Sequence, residues 1–295
     1  MKTMLSKTIY LVLFLFCLQT INSQKQGIVD KQDGPSKMTK SKDWESLLDK
    51  ELSQWEIWTG VPHKSVKNLP ASYEIPENGI PVKPIGLDNS LEVFKVVENE
   101  NGALVLHVSG LVYAGLTSKK EYENYHLTML FKWGEKKYAP RLEKKRDNGL
   151  LYHCYGEHGA FWNVWKRCLE SQIQEGDFGD LYTLAGTKAK VPVNEFNRWD
   201  SSSENVISGG KRLYDTESVH GEWTRIDLYV IEDSAIHVTN GTVTFALTDA
   251  MTHDNKKLDK GQLQIQSEGA EAFVKDIQIR PIKKFPKKIK KAAGF

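Results

Sequence analysis

The sequence predicts an all-β protein, built as an antiparallel sandwich with long loops. Ten short runs rich in β-branched and aromatic residues follow one another, and hardly any helical periodicity separates them, which disfavours parallel βαβ winding. Asn101-Gly102 and Asn240-Gly241 lie between such runs, where a tight hairpin requires residues that tolerate positive φ. The predicted strands are 91–97, 103–108, 125–133, 149–154, 168–174, 223–230, 235–239, 242–247, 262–266 and 273–280.

Residues 1–23 have the pattern of a secretory signal peptide. Two lysines precede an apolar run over residues 9–18, and the small residue Ser23 follows. The ten residues of this run are too few to span about 30 Å of hydrocarbon, so no transmembrane segment is expected. The pattern predicts cleavage near Ser23 and export to the periplasm or the extracellular space.

Beyond the signal peptide the chain divides into a linker, one domain and a basic tail. Residues 24–41 are polar and contain Asp-Gly-Pro, which is typical of a linker. The β-sandwich domain is expected over residues 42–282. Helical spacing of apolar residues predicts a short amphipathic helix at 43–52, and five prolines between residues 62 and 84 predict a stretch that wraps the surface. Residues 283–295 contain six lysines and no acid, which favours a solvated, frayed terminus over a contact with a membrane or polyanion.

The charge balance argues against nucleic acid as a partner. The chain has 40 basic and 38 acidic residues, and removal of residues 1–23 takes away two lysines and no acid, leaving 38 of each sign. A balanced chain lacks the electrostatic footprint of a nucleic-acid-binding protein. Six basic side chains between residues 136 and 146 are mixed with acids, so they indicate a solvated loop rather than an anion site.

Familiar catalytic motifs are missing. The sequence contains no Gly-rich phosphate loop, Gly-x-Ser-x-Gly elbow or His-Glu-x-x-His motif, so dinucleotide-binding, serine-hydrolase and zincin functions are not expected. Cys154 and Cys168 remain after cleavage and permit one disulfide, which the spacing alone does not establish.

Polar side chains are concentrated on two of the predicted strands. Glu170, Gln172 and Gln174 alternate along one face of the run 168–174. Such a row faces either solvent or a site, and its content of glutamate and glutamine, without lysine or threonine, favours a site. A second row of one parity near the C-terminus contains Gln264, Gln266 and Glu268.

Two histidines lie among apolar neighbours. Strict alternation along residues 149–154 places His153 on the face of Leu151, with Cys154 on the other face. His237 precedes the Asn240-Gly241 turn and alternates with apolar residues. A lone histidine in such a setting fits a hydrogen-bonded structural group as well as a catalyst.

The run 157–167 places aromatic residues beside carboxylates and amides. This combination suits a sugar site, because the apolar face of a pyranose stacks on an indole ring and its hydroxyls need paired donors and acceptors. The two tryptophans also fit loop anchors that pack on the sheet. The candidate sugar contacts in this run are His158, Trp162, Trp165 and Arg167.

Several motifs in combination resemble the 3-keto-disaccharide hydrolase family. Residues 170–173, Glu-Ser-Gln-Ile, resemble the family's Glu-Tyr-Gln-Val, and residues 237–241 resemble its His-Trp-Leu-Asn-Gly hairpin. Residues 147–153 correspond to Asn-Ser-Gly-Ile-Phe-Phe-Arg, with His153 in place of the arginine, and Glu268 replaces the histidine of a closing Gly-Leu-Gln-Asp-His-Gly. Further similarity lies at residues 47–55, 115–117 and 122–127, and the resemblance as a whole covers residues 44–282.

This resemblance implies a jelly-roll sandwich of the type found in concanavalin A-like lectins and glucanases, and an enzyme that cleaves glycosides oxidised at C3. A C3 ketone acidifies the hydrogen on C2, so that a base can remove it, the C1 substituent can leave and water can add. Such a site needs a base, an acid and a group that stabilises the enolate. A divalent metal ion held by histidine and glutamate could serve as that last group.

The resulting hypothesis assigns catalysis to Glu170, His153 and His237, brought together in one hollow, and the same three residues are the ligands expected if a metal ion is bound. Carbohydrate is the expected partner. The expected sugar contacts are Gln172, Gln266, Glu268, Trp162, Trp165, Arg167 and His158.

Two alternatives remain open on the sequence. A glycosidase of laminarinase type would use Glu170 and Glu175, which strict alternation puts on opposite faces, so that a β-bulge would be required between them. A carbohydrate-binding module without activity is the other alternative, because a jelly-roll fold alone does not imply catalysis.

Overall fold

A computed structural model describes residues 43–295. The predicted signal peptide, 1–23, and linker, 24–41, lie outside the described residues. The strands, in chain order, are β1 (Glu45–Ser46), β2 (Trp55–Thr59), β3 (Gly86–Leu87), β4 (Phe94–Glu98), β5 (Leu104–Val108), β6 (Ala114–Tyr122), β7 (Tyr125–Lys137), β8 (Gly149–Tyr155), β9 (Arg167–Gln172), β10 (Leu181–Leu184), β11 (Lys188–Pro192), β12 (Val206–Ile207), β13 (Thr224–Ile231), β14 (Ser234–Thr239), β15 (Thr242–Met251), β16 (Gly261–Ser267) and β17 (Ala270–Pro281).

These strands form two antiparallel sheets, which confirms the predicted fold class. The larger sheet has the order β12-β11-β15-β14-β13-β7-β17-β5-β4, with β1 paired to β17. The smaller sheet has the order β10-β9-β8-β16-β6-β2-β3. Asn240 and Gly241 both have positive φ between β14 and β15, which is the geometry that a two-residue hairpin turn requires.

The main hydrophobic core lies between the two sheets. Leu150, Tyr152 and Leu169 contribute to it from the smaller sheet, and β7 contributes every second side chain. Burial of each such side chain stabilises the fold by about 1.5–3 kcal/mol. The inward side chains of β7 are Tyr125, Leu127, Met129, Phe131 and Trp133, as the alternation predicts.

The alternation of His126, Thr128 and Lys132 with apolar residues predicts that the other face of β7 meets water, but in the structure this face is covered. His126 and Thr128 are buried there. The His126 ring stacks on Tyr229 at 3.9 Å between centroids, and Trp44 meets it edge-on at 5.0 Å. His126 Nε2 also lies 2.7 Å from a carboxylate oxygen of Asp227. The polar residues of β7 do not by themselves predict that this face is covered, because Trp44, which contacts it, is distant in sequence.

The predicted helix at residues 43–52 does not form. The segment begins with β1, which pairs with β17, and continues through turns. Leu47 and Leu52 are buried without helical structure, and the Trp55 indole donates to the Leu47 carbonyl at 2.5 Å. The backbone of β1 forms its hydrogen bonds with β17 instead of within a helix. The apolar spacing in this segment therefore results from burial against the sheet and not from the apolar face of a helix.

The basic tail is also ordered where fraying was predicted. Its helix α1 (Lys287–Ala292) follows Pro286. Phe285, Ile289 and Ala293 are buried in the main core cluster, so these three apolar residues anchor the segment while most of its lysines remain exposed. Among residues 43–295, no helix is long and apolar enough to cross a membrane.

Candidate active site

The second face of the smaller sheet, turned away from the main core, carries the polar rows predicted from the sequence. Glu170 on β9 is paired with Leu151 on β8, and Leu151 is paired with Gln264 on β16. Residues that are directly paired across strands share a face. Leu151 belongs to a hydrophobic cluster separate from the main core, which places Glu170 and Gln264 on this second face.

Gly149 provides the space for the polar groups at the centre of this face. A Cβ atom at this position would collide with Oε1 of Glu170 and would lie 2.7 Å from Oε1 of Gln266. Both side chains are buried and reach over the glycine. Among the described residues, Oε1 of Gln266 has no hydrogen-bond partner. A buried acceptor without a partner is unusual in a native fold, and a bound ligand could supply the missing donor.

Glu268 lies beside this pair and is held by Arg141. Arg141 Nη2 is 3.2 Å from Glu268 Oε1 and also forms an ion pair with Asp147. Asp147 accepts a hydrogen bond of 2.6 Å from Gln174 Nε2 and forms an isolated bridge with Glu268. These contacts hold residues 147 and 268 together, next to the start of β8 and the end of β16.

The two glutamates differ in the charges that surround them. Burial raises the pKa of Glu170 well above its usual value, and the negative charge of Glu268 raises it further. Burial raises the pKa of Glu268 to about 7, opposed by the positive charges of Arg141 and Lys144. Burial therefore favours the protonated form of both groups, whereas the neighbouring positive charges favour the ionised form of Glu268, which suits Glu170 to an acid role and Glu268 to a base role.

A loop between β8 and β9, residues 156–166, covers the second face of the sheet. Trp165 is buried and stacks on Tyr113 at 5.9 Å between ring centroids. It packs in a cluster with Cys154 and Cys168, so it is an anchor of the loop. Trp162, by contrast, has 64% of its surface exposed. The two cysteines are buried free thiols, and the disulfide that the sequence permits is not formed.

Tyr113 connects the loop with the carboxyl pair. Burial raises the pKa of Tyr113 to about 12, the charge of Glu268 raises it as well, and the charge of Arg141 opposes both. Its hydroxyl is therefore a hydrogen-bond donor at neutral pH. Its sequence signal is slight, since it only precedes the Gly-Leu-Thr motif at 115–117.

His237 lies on the opposite side of the smaller sheet from Glu170, so the predicted convergence of these two residues is wrong. Its Nδ1 donates to the Gly179 carbonyl at 3.1 Å, and its Nε2 accepts from the Tyr152 hydroxyl at 2.9 Å. Tyr152 is in the main core and is adjacent in sequence to Leu151, which faces the other way. Burial lowers the pKa of His237 to about 4, opposed by its hydrogen bond to Gly179. This histidine is a neutral core residue.

His153 is also displaced from the predicted face. It has a φ of 52°, and the pairing of β8 with β9 shifts register between Tyr152 and Tyr155. This bulge breaks the alternation, so that Cys154 rather than His153 packs with Leu151. Burial lowers the pKa of His153 to about 4, while the backbone of Glu232 and the charge of Asp259 oppose the shift. Glu232 lies in the turn after β13.

The expected metal ligands do not fit a metal ion. Glu170 is on one face of the smaller sheet, whereas His237 is in the core behind it and His153 is at the bulge. Across residues 43–295, no group of three histidine, cysteine, aspartate or glutamate side chains is arranged to hold a metal ion. The three residues are separated because the bulge turns His153 away and because His237 lies on β14 of the larger sheet, whereas Glu170 lies on β9 of the smaller sheet.

The predicted sugar contacts fall into two groups. Gln172 is paired with Gly149 across β8 and β9, and its side chain is buried. His158 instead binds Glu56 at 2.9 Å and stacks on Trp58 at 5.3 Å, while Arg167 pairs with Glu157 at 3.2 Å. His158 follows the end of β8 and Arg167 begins β9, whereas Gly149, which contacts Glu170, begins β8. The structure therefore does not bring His158 and Arg167 to the Glu170 centre.

Arg141 is the main functional candidate that the sequence did not reveal. The loop 136–146 was expected to be solvated, but the side chain of Arg141 is only 12% exposed. Alternating acids and bases along a loop give the same local pattern whether a given arginine faces water or a buried carboxylate. Only the position of Glu268 on another strand distinguishes the two.

The paired carboxylates of a laminarinase-type site are not formed by Glu170 and Glu175. Strand β9 ends at Gln172, and the irregularity in its pairing with β8 lies opposite Tyr152 to Tyr155, away from Glu170. Glu175 follows the strand and forms an ion pair of 2.8 Å with Arg146. The required bulge between the two glutamates is therefore missing from this segment.

Solved structures resemble this chain at low sequence identity. Two proteins of Parabacteroides distasonis, provisionally named glycosyl hydrolases, are 14% and 16% identical, with TM-scores of 0.44 and 0.48. The first alignment covers 81% of this chain and 99% of the other, and the second covers 83% and 96%. Domain 4 of an extracellular GH43 arabinanase from Geobacillus stearothermophilus, solved with arabinotriose, is 10% identical, with a TM-score of 0.41 and coverage of 85% and 97%. No curated protein matches the chain at a significant level.

A sequence model of one protein family matches nearly the whole described domain. The family is that of the 3-keto-alpha-glucoside-1,2-lyase-like domain, and the match spans residues 43–280. It confirms the resemblance that the motifs indicate and places the domain among carbohydrate-active proteins. Because the match covers most of the chain, this protein belongs to the 3-keto-alpha-glucoside-1,2-lyase-like family.

Proposed function

We propose that this protein cleaves 3-keto-glucosides through removal of the C2 proton and expulsion of the C1 substituent. The observation that carries the proposal is the buried pair of Glu170 and Glu268 at one end of the polar face, where burial raises the pKa of both carboxyl groups and Arg141 holds Glu268. Membership of the family is consistent with this substrate class. The buried Oε1 of Gln266, which has no hydrogen-bond partner among the described residues, supports a ligand that donates a hydrogen bond there.

The ionised fraction of Glu268 is the proposed base. It takes the C2 proton, the C1–O bond breaks, and the electron pair of the C2–H bond forms the C1–C2 double bond conjugated with the C3 ketone. Protonated Glu170 gives its proton to the departing oxygen. A base with a pKa near the working pH and an acid with a higher pKa are the combination that general acid–base catalysis favours.

Hydration would return both groups to their starting states. Glu170, now ionised, accepts a proton from water as the oxygen adds to C1, and Glu268 returns its proton to C2. The net reaction is then hydrolysis, and release before hydration gives the lyase outcome. Arg141 and the protonated Tyr113 hydroxyl are the neighbouring groups that can stabilise the enolate oxygen.

Export belongs to the same proposal. The predicted signal peptide would place the enzyme in the periplasm or outside the cell, where it would act on glycosides that another activity has already oxidised at C3.

A paired assay tests the proposed reaction. Purified protein is incubated with a glucoside and with its 3-keto derivative, and release of the C1 substituent is followed by chromatography. Turnover of the keto substrate alone supports the proposal. Turnover of the ordinary glucoside would favour conventional glycosidase chemistry, and binding of either compound without turnover would favour a carbohydrate-binding module.

A further inference from the structure

A cavity of about 440 Å³ is lined in part by Tyr113. Its walls come from the proline-rich segment after β2, from the residues before β6 and from the loop between β7 and β8. Three prolines contribute to its surface, Pro62, Pro81 and Pro140, and we call it the proline-lined cleft. Its volume is in the range of small-molecule sites.

Tyr113 joins the proline-lined cleft to the carboxyl pair. Tyr113 lines the cleft, its ring stacks on Trp165 above the polar face, and its hydroxyl is influenced by the charges of Glu268 and Arg141. Pro140 lines the cleft next to Arg141 in the chain. A sugar held at the carboxyl pair would therefore have this cleft as the adjacent space for a second group.

The lining of the cleft is poorly suited to a second sugar. Prolines have no N–H donor, and the remaining walls are mostly aliphatic. Among its polar side chains, His63 already uses Nδ1 for contacts with Ser65, at 2.8 Å from the hydroxyl and 3.2 Å from the backbone nitrogen. Each hydroxyl of a buried sugar ring needs a hydrogen-bond partner, and any hydroxyl without one weakens the binding of the sugar.

An apolar ring meets no such requirement. The apolar faces of proline rings and branched aliphatic side chains bind the face of an aromatic group through dispersion and loss of water. The apolar wall continues to the surface, where Ile80 lines the cleft with 51% of its surface exposed. Its exposure means that a polar substitution there would change the cleft without disturbing the core.

We propose that the proline-lined cleft binds the aglycone of the substrate and selects an aromatic, apolar aglycone over a second sugar. The inference rests on the proposed function and narrows its substrate class from 3-keto-disaccharides to 3-keto-glucosides of aromatic alcohols. Lys64 and His63 lie in the same lining, so polar substituents of the aglycone would be tolerated on that side only.

The test compares substrates with the same 3-keto-glucosyl group. One is the glucoside of 2-phenylethanol, the second is a disaccharide linked through O4 of glucose, and the third is the methyl glucoside. All three release an aliphatic alcohol, so leaving-group acidity differs little. We expect kcat/KM to be about tenfold or more higher for the phenylethyl compound than for the disaccharide, as an apolar pocket discriminates.

Ile80→Glu should lower kcat/KM about fivefold or more for the phenylethyl substrate, and by a smaller factor for the methyl glucoside, whose aglycone is a single methyl group. Ile75→Glu is the matched control, because Ile75 is similarly exposed, at 53%, and does not line the cleft. Circular dichroism verifies that both variants are folded.

The possible failures are distinguishable. Equal kcat/KM for the phenylethyl and disaccharide substrates, unaffected by Ile80→Glu, would overturn the aglycone assignment and leave the proposed reaction intact. A lack of turnover of all three keto compounds would overturn the proposed reaction, and the aglycone assignment with it.

Discussion

The carboxyl group of Glu170 lies over Gly149 of the neighbouring strand, in the space that a Cβ atom of that residue would occupy. The two positions are adjacent because β8 and β9 are paired. The position of this proposed proton donor therefore depends on the absence of a side chain at Gly149, on the adjacent strand.

Gly149→Ala should therefore displace Glu170 and reduce kcat/KM about a hundredfold, since small errors in position are costly to catalysis. Overpacking should also destabilise the fold by about 1–3 kcal/mol. Gly115→Ala is the matched control, because its Cβ would meet the side chain of Gln264 on the same face instead. Activity and thermal unfolding of both variants are measured, and equal losses of activity would contradict a specific role of Gly149.

Glu170→Gln should abolish turnover and make the stability less dependent on pH. The raised pKa of Glu170 means that the native state holds a proton that the unfolded state releases above about pH 4.5. The stability that this group contributes at low pH is lost as the pH rises toward its folded pKa. Because glutamine does not titrate, the variant should lose less stability than the wild type between pH 4 and pH 8.

Glu271→Gln serves as the control for this measurement. Burial tends to raise the pKa of Glu271, but hydrogen bonds from His107 and the Lys136 backbone outweigh it and lower the pKa. Its contribution to stability is present above the unfolded pKa and is lost in acid, so its replacement should change the pH profile in the opposite sense without affecting turnover. Urea unfolding at several pH values measures both, and parallel profiles for the two variants would contradict the protonated state assigned to Glu170.

The pH dependence of activity should reflect Glu268. As the base it must be ionised, so kcat/KM should rise up to about pH 7, where its carboxyl titrates. Arg141→Gln removes the charge that favours the ionised form and should move this limb upward by about one pH unit or more. Lys144→Gln should move it less, because Lys144 lies in the exposed loop and Arg141 is in direct contact. Unchanged pH profiles in both variants would exclude Glu268 as the group observed.

His237→Phe should affect stability and spare the chemistry. Loss of the hydrogen bonds to Tyr152 and Gly179 should cost about 1–3 kcal/mol, whereas kcat/KM of the folded protein should stay within about twofold of the wild type, because the residue lies behind the sheet. The wild type should also lose stability as the pH falls from 6.5 toward 4, since the lowered pKa keeps this histidine neutral in the fold. A loss of turnover comparable to that of Glu170→Gln would restore a catalytic role to His237.

Local sequence patterns correctly predicted the features of the fold that depend only on residues close together in the chain. The alternation along 125–133 and the turn at Asn240-Gly241 depend on side-chain periodicity and on the backbone freedom of two residues, and both are found in the structure. The apolar spacing at 43–52 misled for the same reason, because burial against β17 produces a pattern that a helix can also produce.

The candidate site contains contacts that local sequence patterns do not predict. Parity alone could place Glu170 with Gln172 in one row and Gln264 with Gln266 in another, since their strands are regular around them. Parity failed at His153, where a single residue of positive φ reversed the order of faces. It also gave no information on Arg141, whose partner Glu268 is remote in sequence.

The order of amino acids by itself determined ten of the seventeen strands found among residues 43–295, the hairpin turn and the polar rows, because these follow from the two-residue period of an extended backbone and from steric limits on φ. Only the tertiary structure decided which rows meet. It put His237 in the core between the sheets, joined Arg141 to Glu268, and opened a proline-lined cleft beside Tyr113. These relationships depend on the pairing and stacking of strands far apart in the chain, which no local period encodes.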